Sequence, residues 1–300
     1  MKQAEAVRLY ERVMRGRGFS PETVAVNLRT VRRFLARLEV RLRRLRRQHV
    51  VAALAAMQRA GLAGATQARA LGVLRAFSLV LVEAGVLAAD PTEGLAVDAG
   101  QPAPRVVPTV DAVARLLAAS DVRPRSGASP ALALRDRALL ELLYGLGLRN
   151  SEARAARVDD LNLADGSLLV RAAKRGHART LPLPRAALPH LQRYVEEARP
   201  PLVAGRVDTG HLIVSKTGRP LRHGSDVGEV VAKAARRAGI RCHPHALRRG
   251  VATHLAAAGL NLRAVQTLLG HESLAVTQRY VSVPSDELHR TVRALERHRT

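Results

Sequence analysis

Between residues 98 and 108 the chain carries Gly100, Pro102, Pro104 and Pro108 with no periodic apolar face, a run that neither a helix nor a central strand accommodates. That interruption splits the 300 residues into two pieces of domain size. The chain therefore reads as a domain over 1–97, a linker over 98–108 and a second domain over 109–300. Hydrophobic residues make up 47% of the sequence, enough to bury a sizeable core.

The two pieces differ in periodicity. Before the linker the pattern is helical: Ser20 can cap, Pro21 suits a first turn, and Val24, Leu28, Val31 and Leu35 recur at helical spacing. A further helix over 66–82 puts Leu71, Leu74, Phe77 and Leu81 on one face, and no strand signal precedes residue 100. After the linker, a helix over 111–119 and a loop containing Pro124, Gly127 and Pro130 lead to a helix over 132–146 that buries Leu132, Leu139, Leu143 and Leu146. The short apolar runs Ser167-Leu168-Leu169-Val170 and Thr180-Leu181-Pro182-Leu183 flank Lys174-Arg175-Gly176-His177 and predict a hairpin. Residues 211–214 predict one more strand. Helices are expected over 185–198, 223–238, 244–258, 262–269, 274–281 and 285–298, so the fold class is mainly α with a small β-sheet.

A formal charge of +24 points to a polyanionic partner, because binding a duplex releases condensed counterions in proportion to the phosphates neutralised. Nucleic acid is the leading candidate. Of the 49 basic residues only Lys2, Lys174, Lys216 and Lys233 are lysines, a skew that a GC-rich coding sequence produces unaided. Charge alone therefore does not establish DNA binding. Between 29 and 47, Arg29, Arg32, Arg33, Arg37 and Arg41 are followed by Arg43, Arg44, Arg46 and Arg47, against Glu39 alone. Such a segment can lie along a DNA backbone or form a solvated helix face. Arg29, Arg32, Arg33, Arg43, Arg44, Arg46 and Arg47 are the candidate DNA contacts.

Apolar runs such as 131–134 and 138–143 are broken by charges well short of the ~20 residues that cross a bilayer. Glu5, Arg8, Glu11 and Arg12 precede any apolar block, unlike a secretory signal. A soluble, cytoplasmic protein with no membrane partner is the expectation. Cys242 is the sole cysteine, which excludes an internal disulfide and a thiolate-rich zinc site. In Cys242-His243-Pro244-His245, three crowded side chains cannot all reach one tetrahedral ion without a distant fourth ligand, so no metal is expected.

Four separated segments carry chemistry. Leu142-Leu143-Tyr144-Gly145-Leu146-Gly147-Leu148-Arg149-Asn150-Ser151-Glu152 resembles the "LLYxTGLRxSE" of the tyrosine recombinase and phage integrase family. Ala173-Lys174-Arg175-Gly176-His177-Ala178-Arg179-Thr180-Leu181-Pro182-Leu183 is similar to its "GKGNKERxVPL", and His243-Pro244-His245-Ala246-Leu247-Arg248 to its "xPHxLR". Leu268-Leu269-Gly270-His271-Glu272-Ser273, with Tyr280 nine residues beyond the histidine, matches "LLGHxS" and its nucleophile. The resemblance covers nearly the whole chain and is nearest the Xer type, which lacks the further arm-binding domain of larger integrases.

It implies catalytic Arg149, Lys174, His245, Arg248, His271 and the nucleophile Tyr280, with Glu152 supporting the site from behind. It also implies an N-terminal SAM-like, core-binding domain. Ala70-Leu71-Gly72-Val73-Leu74-Arg75-Ala76-Phe77 belongs to that likeness and adds Arg75 to the candidate DNA contacts. The ending, with Ser285 capping a helix through Leu295, resembles the family's terminal helix, which packs on a neighbouring protomer. By resemblance, four protomers hold two double-stranded recombination sites, as a homo-tetramer or with a paralogous recombinase, and exchange strands through a Holliday junction.

Each residue type suits the chemistry. A phosphodiester is anionic and slow to attack, so charge building on its equatorial oxygens must be neutralised while the nucleophile is held in line. Guanidiniums do this with a planar fork of donors that stays protonated. Lys174, its pKa lowered by adjacent cations, can protonate the leaving 5′-oxygen. His245 resembles the family's base for the tyrosine, and His271 a donor to the phosphate. An aryl oxygen is also a good leaving group, so the ester stays energised and neither metal nor ATP nor other cofactor is required.

Alone, each residue has a plainer reading: Arg149 beside a helix dipole, His245 as a cap, His271 in a turn, Lys174 as a solvated hairpin tip. Arg249 stands where many relatives have a second His, and Ala173 and Arg175 replace glycines beside the lysine. Two other function classes remain open to the sequence: a noncatalytic Arg-rich DNA-binding protein, and a type IB topoisomerase or relaxase that shares tyrosine chemistry.

Overall fold

The computed structural model describes residues 1–101, 107–121, 129–171, 178–259, 261–270 and 293. Lys174, His271 and Tyr280, the expected helix over 274–281, all of that over 285–298 except residue 293, Pro124 and Gly127 of the expected loop, and part of the 98–108 linker lie outside those residues. The chain divides into two compact units, Met1–Arg105 and Val106–Thr300.

The first unit consists of helices α1 (Gln3–Gly16), α2 (Pro21–Leu35), α3 (Arg47–Arg59) and α4 (Gly64–Glu83). Ser20 caps α2 by accepting a hydrogen bond from the Thr23 backbone at 3.2 Å, and Pro21 fills the first turn. The basic stretch after it is not one helix: α2 stops at Leu35, and a single 3-10 turn at Leu42–Arg44 precedes α3. Leu42 and Leu45 are buried, which anchors that connection to the core while its arginines face out. α1 carries no Ser, Asn or Pro start signal, yet buries Ala6, Val7, Tyr10 and Met14 on one stripe.

Leu71, Leu74, Phe77 and Leu81 of α4 are buried together, and Tyr10 meets Phe77 edge to face at 5.5 Å. By length and composition α4 could cross a membrane, but this apolar face is spent in the helical core. A Cβ on Gly64 would stand 2.3 Å from the Asp98 carbonyl oxygen. The first residues of the expected linker therefore lie against the start of α4.

The second unit is organised on α6 (Pro130–Gly145), whose Leu139, Leu140, Leu142 and Leu143 are fully buried. Around it lie α5 (Val110–Asp121) and α7 (Asn150–Ala155). The strands follow as β1 (Leu161–Asn162), β2 (Ser167–Val170) and β3 (Arg179–Pro182). They form an antiparallel sheet in the order β1-β2-β3, with Leu168 opposite Leu181 and Val170 opposite Arg179. Leu168 and Leu181 point into the core while Leu169 and Thr180 face out, the alternation a half-buried sheet requires.

The helix expected over 185–198 is broken into three parts. α8 (Leu188–Arg193) passes through one π turn at Tyr194–Ala198 into α9 (Arg199–Val203). The strand expected over 211–214 is corrected too. Leu212, Ile213 and Val214 are fully buried, but His211 and Val214 make only isolated bridges, to Arg157 and Pro220. Pro220 has no N–H with which to extend a ladder. Helices α10 (Gly224–Arg237), α11 (Pro244–Ala257) and α12 (Leu262–Leu269) complete the described unit.

Candidate active site

The site begins where α6 ends. Gly147 adopts φ +60°, and a Cβ there would stand 2.5 Å from the Leu269 side chain, so only glycine permits this reversal. The turn delivers Arg149 to the N-cap of α7. Glu152, one turn on, accepts from the Arg149 backbone N–H at 2.8 Å and from Arg149 Nη1 at 2.9 Å.

On α11 the cap is His243, whose Nδ1 accepts from the Ala246 N–H at 3.2 Å. His245 is thereby spared the capping role and stands exposed, one helical turn before Arg248. Arg248 is buried, and its Nη1 donates to the Gly147 carbonyl at 2.5 Å and its Nη2 to the Leu269 carbonyl. Its Nη1 also lies 3.9 Å from Glu152 Oε2.

α12 supplies the third wall. Asn261 caps its start, and Gly270 ends it in the left-handed conformation at φ +61°. The last carbonyls of a helix have no intrahelical donor and sit at its negative pole. Here three guanidiniums fill them in succession. Arg179 Nε donates to Leu268 at 3.2 Å, Arg248 to Leu269, and Arg149 Nη2 to Gly270. A Cβ on Gly270 would come within 2.9 Å of the Arg179 guanidinium and 3.3 Å of Arg149 Nη1, so residue 270 must also be small.

Glu152 is the common anion. Arg179 grips both its oxygens, Nη1 on Oε1 and Nη2 on Oε2, each at 3.1 Å. Burial alone would raise this carboxyl, but hydrogen bonds from Arg179 and Arg149, with the Arg179 charge, hold it below the usual carboxylate range. A depressed folded pKa means that the stability Glu152 contributes is present near neutrality and is lost as pH falls through that value. Burial also lowers Arg248 to about 10, with the Arg149 charge adding to the effect and Glu152 opposing it, so it remains a cation at neutral pH.

Arg149, Glu152 and Arg248 thus converge, while the expected roles of Lys174, His271 and Tyr280 fall on residues outside the description. Arg179 was not singled out by the sequence, although the hairpin pattern "GKGNKERxVPL" carries an Arg at its place. The other tyrosines are buried: Tyr10 at 2% exposure, Tyr144 and Tyr194 at 0%. The Tyr144 hydroxyl meets His254 Nδ1 at 2.9 Å, and Tyr194 donates to the Leu212 carbonyl and is pushed up to about 12 by burial.

In the first unit, Arg29, Arg32, Arg33, Arg43, Arg44, Arg46 and Arg47 are all exposed. Arg75 is only half-exposed, and its Nη2 donates to the Leu95 carbonyl at 2.7 Å, so its first task is to hold the turn after α4. Arg47 reaches the same turn through the Glu93 carbonyl at 2.8 Å. Among the described residues no group of three or more His, Cys, Asp or Glu side chains could hold a metal ion.

Residues 108–287 match the phage integrase family, and residues 7–85 match the phage integrase N-terminal SAM-like domain. Tyrosine recombinase XerC of Alcanivorax borkumensis is 37% identical over 237 residues, covering 78% of this chain and 74% of its own. Tyrosine recombinase XerD of Listeria monocytogenes is 33% identical over 275 residues, covering 89% and 90%. Among solved structures, a lambda integrase tetramer bound to a Holliday junction superposes with a TM-score of 0.68 at 19% identity, over 93% of this chain and 80% of that one. A lambda integrase dimer bound to a COC' core site gives a TM-score of 0.67, also at 19% identity, over 95% of this chain and all of the other. At such identity the likeness speaks for the fold.

Proposed function

The chain belongs to the phage integrase family of tyrosine recombinases, and from that premise we propose that it is a site-specific DNA recombinase whose strand exchange runs through Tyr280. The single observation that carries the assignment of its site is the convergence of Arg149 and Arg248 on one buried carboxylate, Glu152. Two cations fixed side by side form an anion site, and the substrate of this family is a phosphodiester. Their bonds to Glu152 and to backbone carbonyls leave further N–H donors on each guanidinium.

In the proposed reaction the Tyr280 phenol oxygen attacks the phosphorus in line. It displaces the 5′-oxygen and forms a 3′-phosphotyrosyl ester. His245 takes the phenol proton, Lys174 gives one to the departing 5′-oxygen, and His271 donates to the phosphate. The 5′-hydroxyl of the partner duplex then attacks the same phosphorus and releases the tyrosine, so bonds broken equal bonds made and no external energy enters. Burial of Tyr10, Tyr144 and Tyr194 supports Tyr280 as the nucleophile. Two such exchanges, separated by a Holliday junction, complete recombination in a tetramer of identical chains or of this chain with a paralogue.

Domains over 1–97 and 109–300, joined through 98–108, would both bind duplex DNA in the cytoplasm, at the nucleoid. The exposed arginines Arg29, Arg32, Arg33, Arg43, Arg44, Arg46 and Arg47 meet the backbone, and Arg75 sets the turn behind them. If each of these seven neutralises one phosphate, log K falls against log salt with a slope of about −6. Fluorescence anisotropy between 50 and 200 mM salt checks this, and a slope near zero removes these residues from the interface.

The activity is tested by recovering the genomic segment the protein binds and placing two copies on one plasmid. Recombinant circles are the expected product. Relaxed plasmid without recombinants would instead assign a topoisomerase-like activity.

A further inference from the structure

We propose that Arg179 is a positioning residue for DNA cleavage, acting through Glu152 and the end of α12 rather than on the phosphate itself; the inference rests on the recombinase reading above. Arg179 opens β3 opposite Val170, and its side chain is only 15% exposed. Its planar fork lies along both oxygens of Glu152, and its Nε reaches the Leu268 carbonyl. One guanidinium therefore ties together three elements. In the sequence β3 follows Lys174, α7 carries Glu152 with Arg149 at its N-cap, and α12 precedes His271 and, further on, Tyr280.

The geometry explains why a third arginine is needed. Glu152 serves Arg149 and Arg248 only if its carboxylate plane is fixed, and the two bonds from Arg149, to Oε2 and Oε1, hold it from one side only. Arg179 occupies both oxygens from a bidentate position and removes that freedom. It also fills a carbonyl at the C-terminus of α12 that has no intrahelical donor among the described residues. Without it, Arg149 and Arg248 keep their charges and lose their common alignment. The chemical step suffers and phosphate affinity does not, since misplacement by about 1 Å costs on the order of 10²-fold in rate.

The test uses the full chain and a duplex, nicked near the cleavage point, that carries the genomic segment the protein recovers. Single-turnover adduct formation and DNA affinity are measured for wild type, Tyr280→Phe, Arg179→Ala, Arg179→Lys, Glu152→Gln and the double variant Arg179→Ala with Glu152→Gln. Arg179→Ala is expected to lower the cleavage rate about 30- to 100-fold with affinity held within about twofold. Arg179→Lys should lose about tenfold or more, because an ammonium cannot span both oxygens and the carbonyl.

The double variant should lose less than the two single losses combined, since either substitution breaks the Arg179–Glu152 connection and only the Leu268 contact belongs to Arg179 alone. Full-rate cleavage by either Arg179 variant overturns the proposal, as do additive losses or a fall in affinity that matches the fall in rate. Should Arg179→Ala not fold, Arg179→Lys and its own combination with Glu152→Gln carry the same comparison. The first two proteins report on the underlying reading. An adduct that survives Tyr280→Phe relocates the nucleophile without touching Arg179, whereas a wild type that forms no adduct sinks both.

Discussion

Tyr280→Phe abolishes the covalent protein–DNA adduct and leaves DNA affinity within about twofold. The substitution deletes one oxygen and keeps the ring, so it removes the attacking atom with little change in packing. Deleting a nucleophile that works with its base as a unit costs on the order of 10⁶-fold in turnover, far below detection in a gel assay. No described tyrosine can take over. Tyr10 packs on Phe77 in the first unit, while the Tyr144 hydroxyl is bonded to His254 and that of Tyr194 to the Leu212 carbonyl, all inside a core. The measurement is the fraction of a nicked duplex retained on protein under denaturing conditions. Retention equal to wild type would move the nucleophile elsewhere.

Arg248→Ala lowers the cleavage rate by about 10²–10³-fold, the loss expected when one preorganised donor to a developing charge is removed. It also destabilises the fold, because Arg248 is buried and holds the carbonyls of Gly147 and Leu269. Leaving a buried acceptor unpaired costs about 1–3 kcal/mol. Keeping the cation there is itself unfavourable, since burial pulls its pKa down to about 10. The sign is that of a base depressed on folding: the penalty applies throughout neutral pH and is relieved only as pH rises past about 10. A group retained at such cost is retained for its charge. Arg248→Lys separates the two effects, keeping one positive charge while losing the fork that reaches two carbonyls and, in the proposed site, a phosphate. A smaller fall in melting temperature than for Arg248→Ala, with cleavage still down at least about tenfold, is expected. Wild-type cleavage by Arg248→Lys would remove the bidentate role.

What could be read in the amino-acid order is what acts over a few residues. Ser20-Pro21 announced α2, and the short apolar runs around Leu168 and Leu181 announced the hairpin, because caps and strand pairs close over few residues. Arg149, Arg248 and Glu152 were found through a family's motifs, and the fold brings the three side chains together. α1 went unmarked because its start has no capping residue of the usual kind, and the buried run 211–214 looked like a strand because apolar burial and strand pairing leave the same trace.

Only the tertiary structure decided which groups share Glu152 and what ends α12. Arg179 is 27 residues from Glu152 and 89 from Leu268, and Arg248 is 101 from Gly147. No periodicity or spacing reports on contacts of that separation. They form because packing α6, α11, α12 and the sheet into one core brings a buried carboxylate and the last carbonyls of a helix to the same place, where guanidiniums donate to both. The order of residues specified the chemistry, and the fold specified its alignment.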